Sequence, residues 1–247
     1  MTAFDGTEAD GFLGGRLRLF QPSTGYRAGL DAVLLAASLS AGDGDAFAEA
    51  GSGAGGALLC AASRLEGASF SGFERDEAML EFARASIVLN GMSGRVKVVR
   101  SDIAERPADL ENAFDQAFAN PPFYAPGETR RPAAGKEGAF LAHTPLKAWA
   151  LFLLHATRPG GRVTMIHRAA ALAEVLELFD RRAGEIEVLP VRPAPGEIAN
   201  RILIRARKGL RRGPVKLYEG LILHQSPGGA LTDRAEGIMT GAALDWR

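Results

Sequence analysis

The sequence predicts an α/β domain, an open sheet of largely parallel strands with helices on both faces. Three observations lead there. Short apolar runs (68–73, 96–99, 117–119) alternate with longer stretches whose apolar residues recur at helical spacing, the pattern of repeated strand–helix units. A glycine-rich turn, Glu49-x-Gly51-x-Gly53-x-Gly55, leads into a helix-forming segment. Glu74, Asp102 and Asn120 stand at the ends of successive runs and so share one edge, where open α/β sheets bind their ligands.

The chain of 247 residues is 47% hydrophobic and 23% charged, enough for one large domain with small additions. Twenty-nine basic residues cancel twenty-nine acidic ones, so nucleic acid could be held only by a local patch. The single Cys60 excludes an intrachain disulfide and a cysteine-rich metal site, and fits a reducing compartment. His143, His155, His167 and His224 lack ligand-like spacing, so no metal is expected. The acidic N-terminus has no apolar signal-peptide core, and no run approaches a membrane span. The expectation is a cytoplasmic protein without membrane contact, monomeric or homodimeric.

Residues 1–10 read as frayed, and Gly15 to Gln21 alternates like a strand. Tyr26 and Arg27 form an aromatic–cation pair on a glycine-flanked loop and could line a ligand site. Asp31 heads the apolar helix from Ala32 to Leu39, where a carboxylate caps free N–H groups or suits the helix dipole; beside Tyr26 and Arg27 it is also a ligand-site candidate. The strand entering the glycine turn is poor in β-branched residues, and a helix from Ala57 to Arg64 follows it. Glycines there let backbone approach a ligand and present helix N–H groups to it. The register G-x-G-x-G, with Glu49 two positions ahead, differs from the G-x-G-x-x-G of dinucleotide sites and favours S-adenosylmethionine over a nicotinamide cofactor.

The strand from Ala68 to Phe73 ends in Glu74, placed to accept the hydroxyls of a ribose. Asp76 is the expected N-cap of a helix stopped by Asn90-Gly91, with Met79, Phe82, Ala83 and Ile87 as its core stripe. Asp102, after the strand from Val96 to Val99, is either a turn cap or an acceptor for an adenine amine. The run Ala117 to Ala119 stops at Asn120-Pro121-Pro122-Phe123. Two prolines donate nothing to a ladder and hold the preceding residues extended, which makes a stiff, non-helical loop. It presents an amide, rigid carbonyls and an aromatic ring. That set suits a planar group bearing NH2: the Asn120 oxygen and a proline carbonyl accept its N–H bonds while Phe123, or Tyr124, stacks on its face. The alternative is a turn with a core phenylalanine.

Residues 126–138 carry Arg130, Arg131 and Lys136 and read as a substrate lid or a solvated loop. A helix over 139–158 ended by Pro159-Gly160-Gly161, a strand over 162–167, a helix over 169–179 and closing strands at 186–191 and 199–206 are expected. Seven basic residues and no acidic one lie between Arg201 and Lys216, a solvated run or a phosphate-contact patch. The tail holds a strand and a short segment. The expected division is an N-terminal extension (1–40), a core domain (41–210) and a C-terminal tail (211–247).

In this order, glycine loop, ribose carboxylate, adenine-side aspartate and Asn-Pro-Pro-Phe resemble a class I S-adenosylmethionine-dependent methyltransferase. With QPSTGYRAGLDAVLLAA (21–37), RPGGRVTMI (158–166) and APGEIANRILIRARKG (194–209), the chain is similar to the bacterial tRNA(Val) adenine-N6 methyltransferase family over roughly residues 15–210. The resemblance implies a Rossmann-like sheet of about seven strands, the last antiparallel. It implies S-adenosylmethionine as cofactor, S-adenosylhomocysteine as product, and an adenosine of tRNA beside the anticodon as acceptor. The cofactor residues would be Tyr26, Arg27, Asp31, Glu49, Gly51, Gly53, Glu74, Arg75, Asp102, Ile103 and Asn120. Asn120, Pro121, Pro122 and Phe123 would hold the amine, and Tyr124, Arg130 and Arg131 the substrate. The first motif, EAGSGAG, lacks the usual aliphatic residue between acid and glycine. Because Asn-Pro-Pro-aromatic also occurs in methylases of DNA adenine, ribosomal RNA and glutamine amides, protein and ribosomal RNA acceptors stay open, as does a non-catalytic RNA-binding module.

Overall fold

The structure, a computed structural model, describes residues 8–24, 27–123 and 144–246. The expectations at Tyr26, Tyr124, Arg130, Arg131 and loop 126–138 lie outside the described residues.

The chain opens with an antiparallel pair, β1 (Asp10–Phe12) and β2 (Leu17–Leu19), where fraying to residue 10 was expected. Leu17 and Leu19 are buried with Arg18 outward, and Asn90 pairs with both the N–H and the carbonyl of Arg18, at 3.0 and 2.7 Å. Then follow α1 (Leu30–Ser38), β3 (Ala46–Ala50), α2 (Gly56–Arg64), β4 (Ser69–Glu74), α3 (Glu77–Leu89), β5 (Val96–Arg100) and β6 (Phe114–Ala119). Asp76 caps α3, accepting from the Ala78 N–H at 2.9 Å.

Beyond the undescribed segment come α4 (Leu146–Ala156), β7 (Thr157–Arg168), α5 (Leu172–Phe179), β8 (Ala183–Arg192) and β9 (Arg201–Lys208). Pro159-Gly160-Gly161 does not end a helix; it lies inside β7, whose register against β6 shifts there. Glycine makes this possible, since a Cβ on Gly161 would stand 2.4 Å from the Asp115 carbonyl oxygen.

The main sheet runs β10-β8-β9-β7-β6-β3-β4-β5, with β10 (Lys216–Leu217) and β11 (Leu221–Ile222) both alongside β8. Strands β3 to β7 pair in parallel, and β9 enters antiparallel between β7 and β8. This is a Rossmann-like arrangement, an open and largely parallel sheet with one antiparallel strand.

Alternation along the central strands divides the core. Phe47, Phe70 and Phe118 point to the face covered by α1 and α2, with the first two rings stacked at 4.9 Å. Ala48, Ala50, Ala117 and Ala119 point to the other face, where they leave room for Trp149 and Phe152 of α4. The alanine richness of β3 thus follows from the bulk of the helix above it. Burying each of these phenylalanines contributes about 2–3 kcal/mol. The tail joins the same core: α6 (Asp233–Met239) packs on α1, the Leu244 N–H reaches the Ala37 carbonyl and the Trp246 indole the Ser38 carbonyl.

Candidate active site

Asn120, Gly51, Glu74 and Asp102 follow the carboxyl ends of β6, β3, β4 and β5, which are neighbours in the sheet. Between β3 and β6 the winding reverses, the place where such sheets open a crevice. Two adjoining clefts lie there. One is lined by Glu49, Gly51, Ser52 and Asn120 together with Ala28 and Ala32 from the α1 region. The other is lined by Gly51, Phe73, Glu74, Asp102, Ile103 and Trp149, with Arg75 at its rim. Gly51 is common to both.

The glycine turn is held by its own backbone. Gly51, Gly53 and Gly55 all have positive φ, and the Gly55 N–H bonds the Ser52 carbonyl at 2.8 Å. The buried Glu74 carboxylate organises its surroundings by accepting from the N–H groups of Gly53, Arg75 and Asp76 at 2.8–2.9 Å. Asp102 accepts from the Ala104 N–H at 2.9 Å and borders the second cleft, so its cap and cleft roles coincide.

Glu49 is 2% exposed and has one carboxylate oxygen without a partner. Burial pushes its carboxyl well above the usual range; a bond from the Leu58 backbone opposes the rise and the Glu74 charge adds to it. The Trp149 indole nitrogen is likewise buried and unpartnered on the wall of the second cleft. Unsatisfied buried polar atoms facing a cleft are what a ligand with matching groups would complete. S-adenosylmethionine fits this donor set: the ammonium of its amino-acid end would meet Glu49 beside Gly51, and its adenosine would lie by Glu74, Asp102 and Ile103.

Other candidates sit elsewhere. Asp31 does not cap α1, whose N-cap is Gly29; its carboxylate pairs with Arg201 of β9, and burial raises its pKa against that partner. Arg27 is exposed and bonds Asp10 and the Pro22 carbonyl, not a cleft wall. The basic run of 201–216 is largely tied into the fold, although the Arg212 and Lys216 side chains stay exposed. Six of its seven cations are engaged: Arg201 with Asp31, Arg205 with Glu187, Arg207 with the Gly160 carbonyl, Lys208 with Asn112, Arg212 with Asp180 and Lys216 with Glu187.

Two residues enter that the sequence reading did not single out as site residues. In the sequence Trp149 stands at helical spacing with Leu146, Ala150 and Leu153, which marks it only as core. His167 ends β7 and is 4% exposed, with a ring bond to the Pro122 backbone and its ring centroid 5.2 Å from that of Phe123. Its position at a strand's carboxyl end, like that of Glu74, was the available signal.

Residues 28–140 match the family model of the methyltransferase small domain. The fold resembles a protein of Agrobacterium tumefaciens described as a predicted O-methyltransferase: TM-score 0.70, 29% identity, 88% of this chain and 99% of that one. It also resembles geranyl diphosphate C-methyltransferase from Streptomyces coelicolor, bound to S-adenosylhomocysteine (0.52, 15%, 71% and 73%). A third likeness is to phosphoethanolamine N-methyltransferase 2 of Haemonchus contortus, bound to S-adenosylmethionine (0.53, 15%, 73% and 52%). The last two show the fold alone. No protein of curated function matches the sequence. No helix among the described residues is long and apolar enough to cross a membrane.

Proposed function

We propose that this chain, an S-adenosylmethionine-dependent methyltransferase, delivers its methyl group to an exocyclic amine on an sp² carbon, N6 of adenine in tRNA first among them. One observation carries the amine reading: Asn120, at the head of a doubly prolyl loop, lines the same cleft as Glu49 and Gly51. The tRNA acceptor rests on the sequence similarity at 21–37, 120–123, 158–166 and 194–209.

The bound cofactor supplies a methyl group made electrophilic by a sulfonium. Glu49 and the glycine turn would hold its amino-acid end, and Glu74, Asp102 and Ile103 its adenosine. The acceptor nitrogen is a weak nucleophile because its lone pair is delocalised into the ring. The Asn120 side-chain oxygen and the Pro121 carbonyl, accepting its two N–H bonds, draw it toward tetrahedral geometry and fix its approach. Asn120 and Pro121 would keep the nitrogen aligned with the methyl donor, and the amine proton would pass to water. Phe123 stacks on the base, a contact worth about 1–3 kcal/mol in comparable sites.

A second reading draws on the engaged cations between Arg201 and Lys216: with most of those side chains bonded within the fold, the same loop suits a protein glutamine amide. Labelled S-adenosylmethionine incubated with unmodified tRNA, ribosomal RNA and a protein extract separates the two, with Asn120→Ala in parallel. N6-methyladenosine in tRNA, lost in the variant, is expected. Label confined to protein moves the assignment to the amide, and tight cofactor binding without turnover on any acceptor leaves a binding module.

A further inference from the structure

Beyond Ala119 the acceptor loop leaves the sheet. The parallel ladder between β6 and β7 ends at Ala119 opposite Met165, and neither Pro121 nor Pro122 has an N–H to continue it. The loop's carbonyls thus lie beyond the ladder. Two residues past Met165 on the neighbouring strand, the buried His167 side chain reaches the loop: its ring bonds the Pro122 backbone, which offers only a carbonyl and so accepts, and also the Arg168 backbone. The same ring lies against Phe123, 5.2 Å between centroids and tilted 57°.

We propose that His167 is the positioning residue of the amine-acceptor loop, its side chain extending the β6–β7 tie past the end of the ladder and fixing Asn120, Pro121 and the Phe123 ring relative to one another. The role rests on the reading of 120–123 as the amine site. His167 is too buried to touch substrate, so it acts through the loop. Its imidazole is held neutral, the pKa lowered to about 4, by burial first and the Arg168 charge second. Nδ1 has no partner. The donor therefore adds no positive charge to the loop.

Two variants test this. His167→Phe keeps the aromatic volume and removes the donor; His167→Gln keeps an N–H donor. Hydrogen exchange of the peptide containing Asn120 and Phe123 needs no acceptor, so it decides the role even if 120–123 proves not to bind an amine. In His167→Phe that exchange is expected to rise at least tenfold, with S-adenosylmethionine affinity within twofold of wild type and His167→Gln intermediate. On whichever acceptor the wild type methylates, kcat should fall at least tenfold in His167→Phe with KM little changed, and His167→Gln should recover most of it. Unchanged exchange in His167→Phe overturns the proposal. So does joint loss of cofactor binding and cooperative melting in both variants, which would make His167 a core residue only. A wild type inactive on every amine, with exchange raised in His167→Phe, leaves the anchoring intact and removes the amine reading instead.

Discussion

A Cβ on Gly51 would stand 2.2 Å from Cη2 of Trp149. Gly51 also has φ +59°, so space and backbone conformation both require glycine. The indole of α4 is seated in the room the missing side chain leaves, and it closes one wall of the second cleft. Gly51→Ala should therefore lose about 1–3 kcal/mol of stability and at least tenfold in cofactor affinity. Adding Trp149→Phe should restore part of the stability but little of the affinity. Urea unfolding and calorimetric titration with S-adenosylmethionine read the two effects separately.

Glu49 gives the cofactor a proton signature. Burial keeps its carboxyl protonated at pH values where an ordinary glutamate is charged. A cationic ligand beside it favours the carboxylate, so binding releases a proton. Affinity should rise with pH and level off once the free protein's Glu49 has ionised. Titrations in buffers of different ionisation enthalpy count that proton. Glu49→Gln should abolish its release, and an unchanged proton count in the variant would remove Glu49 from the cofactor site.

On the proposed role of Asn120 as acceptor of the amine's N–H, Asn120→Ala should lower turnover on the order of 100-fold while changing cofactor affinity little. Initial rates and equilibrium binding on the same preparations make the comparison; equal losses in both would refute the assignment.

His167 makes the fold sensitive to acid. Its folded pKa of about 4 lies below the unfolded value near 6.5, so the unfolded chain binds more protons between them. Its contribution is complete above about pH 6.5, falls as pH drops through that window and is gone below about 4. From pH 7.5 to pH 5 the loss is on the order of 2 kcal/mol. Urea midpoints across this range should flatten in His167→Gln by that amount.

Arg205 is a test of the basic run as structure. It pairs with the buried Glu187, which also accepts from the Tyr218 hydroxyl at 2.8 Å, and its guanidinium lies 4.1 Å from the centre of the Trp246 ring. Arg205→Ala leaves the buried Glu187 carboxylate with only Tyr218 and the exposed Lys216, and should cost about 1–3 kcal/mol by urea unfolding. A variant of wild-type stability with weakened RNA binding would restore the patch reading.

The sheet was legible because its signals are local: the glycine turn, the Asp76 cap and Asn90-Gly91 each act within a few residues. Glu49, Gly51, Glu74, Asp102 and Asn120 were legible together because parallel strands bring their carboxyl ends to one edge. What stayed hidden depended on partners distant in sequence. Asp31 looks like a cap until Arg201 is beside it, and the cations of 201–216 look free until Asp31, Glu187 and Asp180 are placed. Trp149 belongs to a helical stripe in sequence and to a cleft wall in space because of the alanine face of β3.

The antiparallel entry of β9 carries a kinetic consequence. β7 and β8 are consecutive in sequence, yet in the finished sheet they flank a gap that only residues 201–208 fill. A chain in which they pair directly must separate them before β9 can enter, so premature collapse is an off-pathway trap. Refolding by dilution should then show a slow population that shortens when denaturant is retained, since a little urea loosens the mispaired strands. The sheet is completed from its interior, and the strand that locks it is one of the later ones to be made.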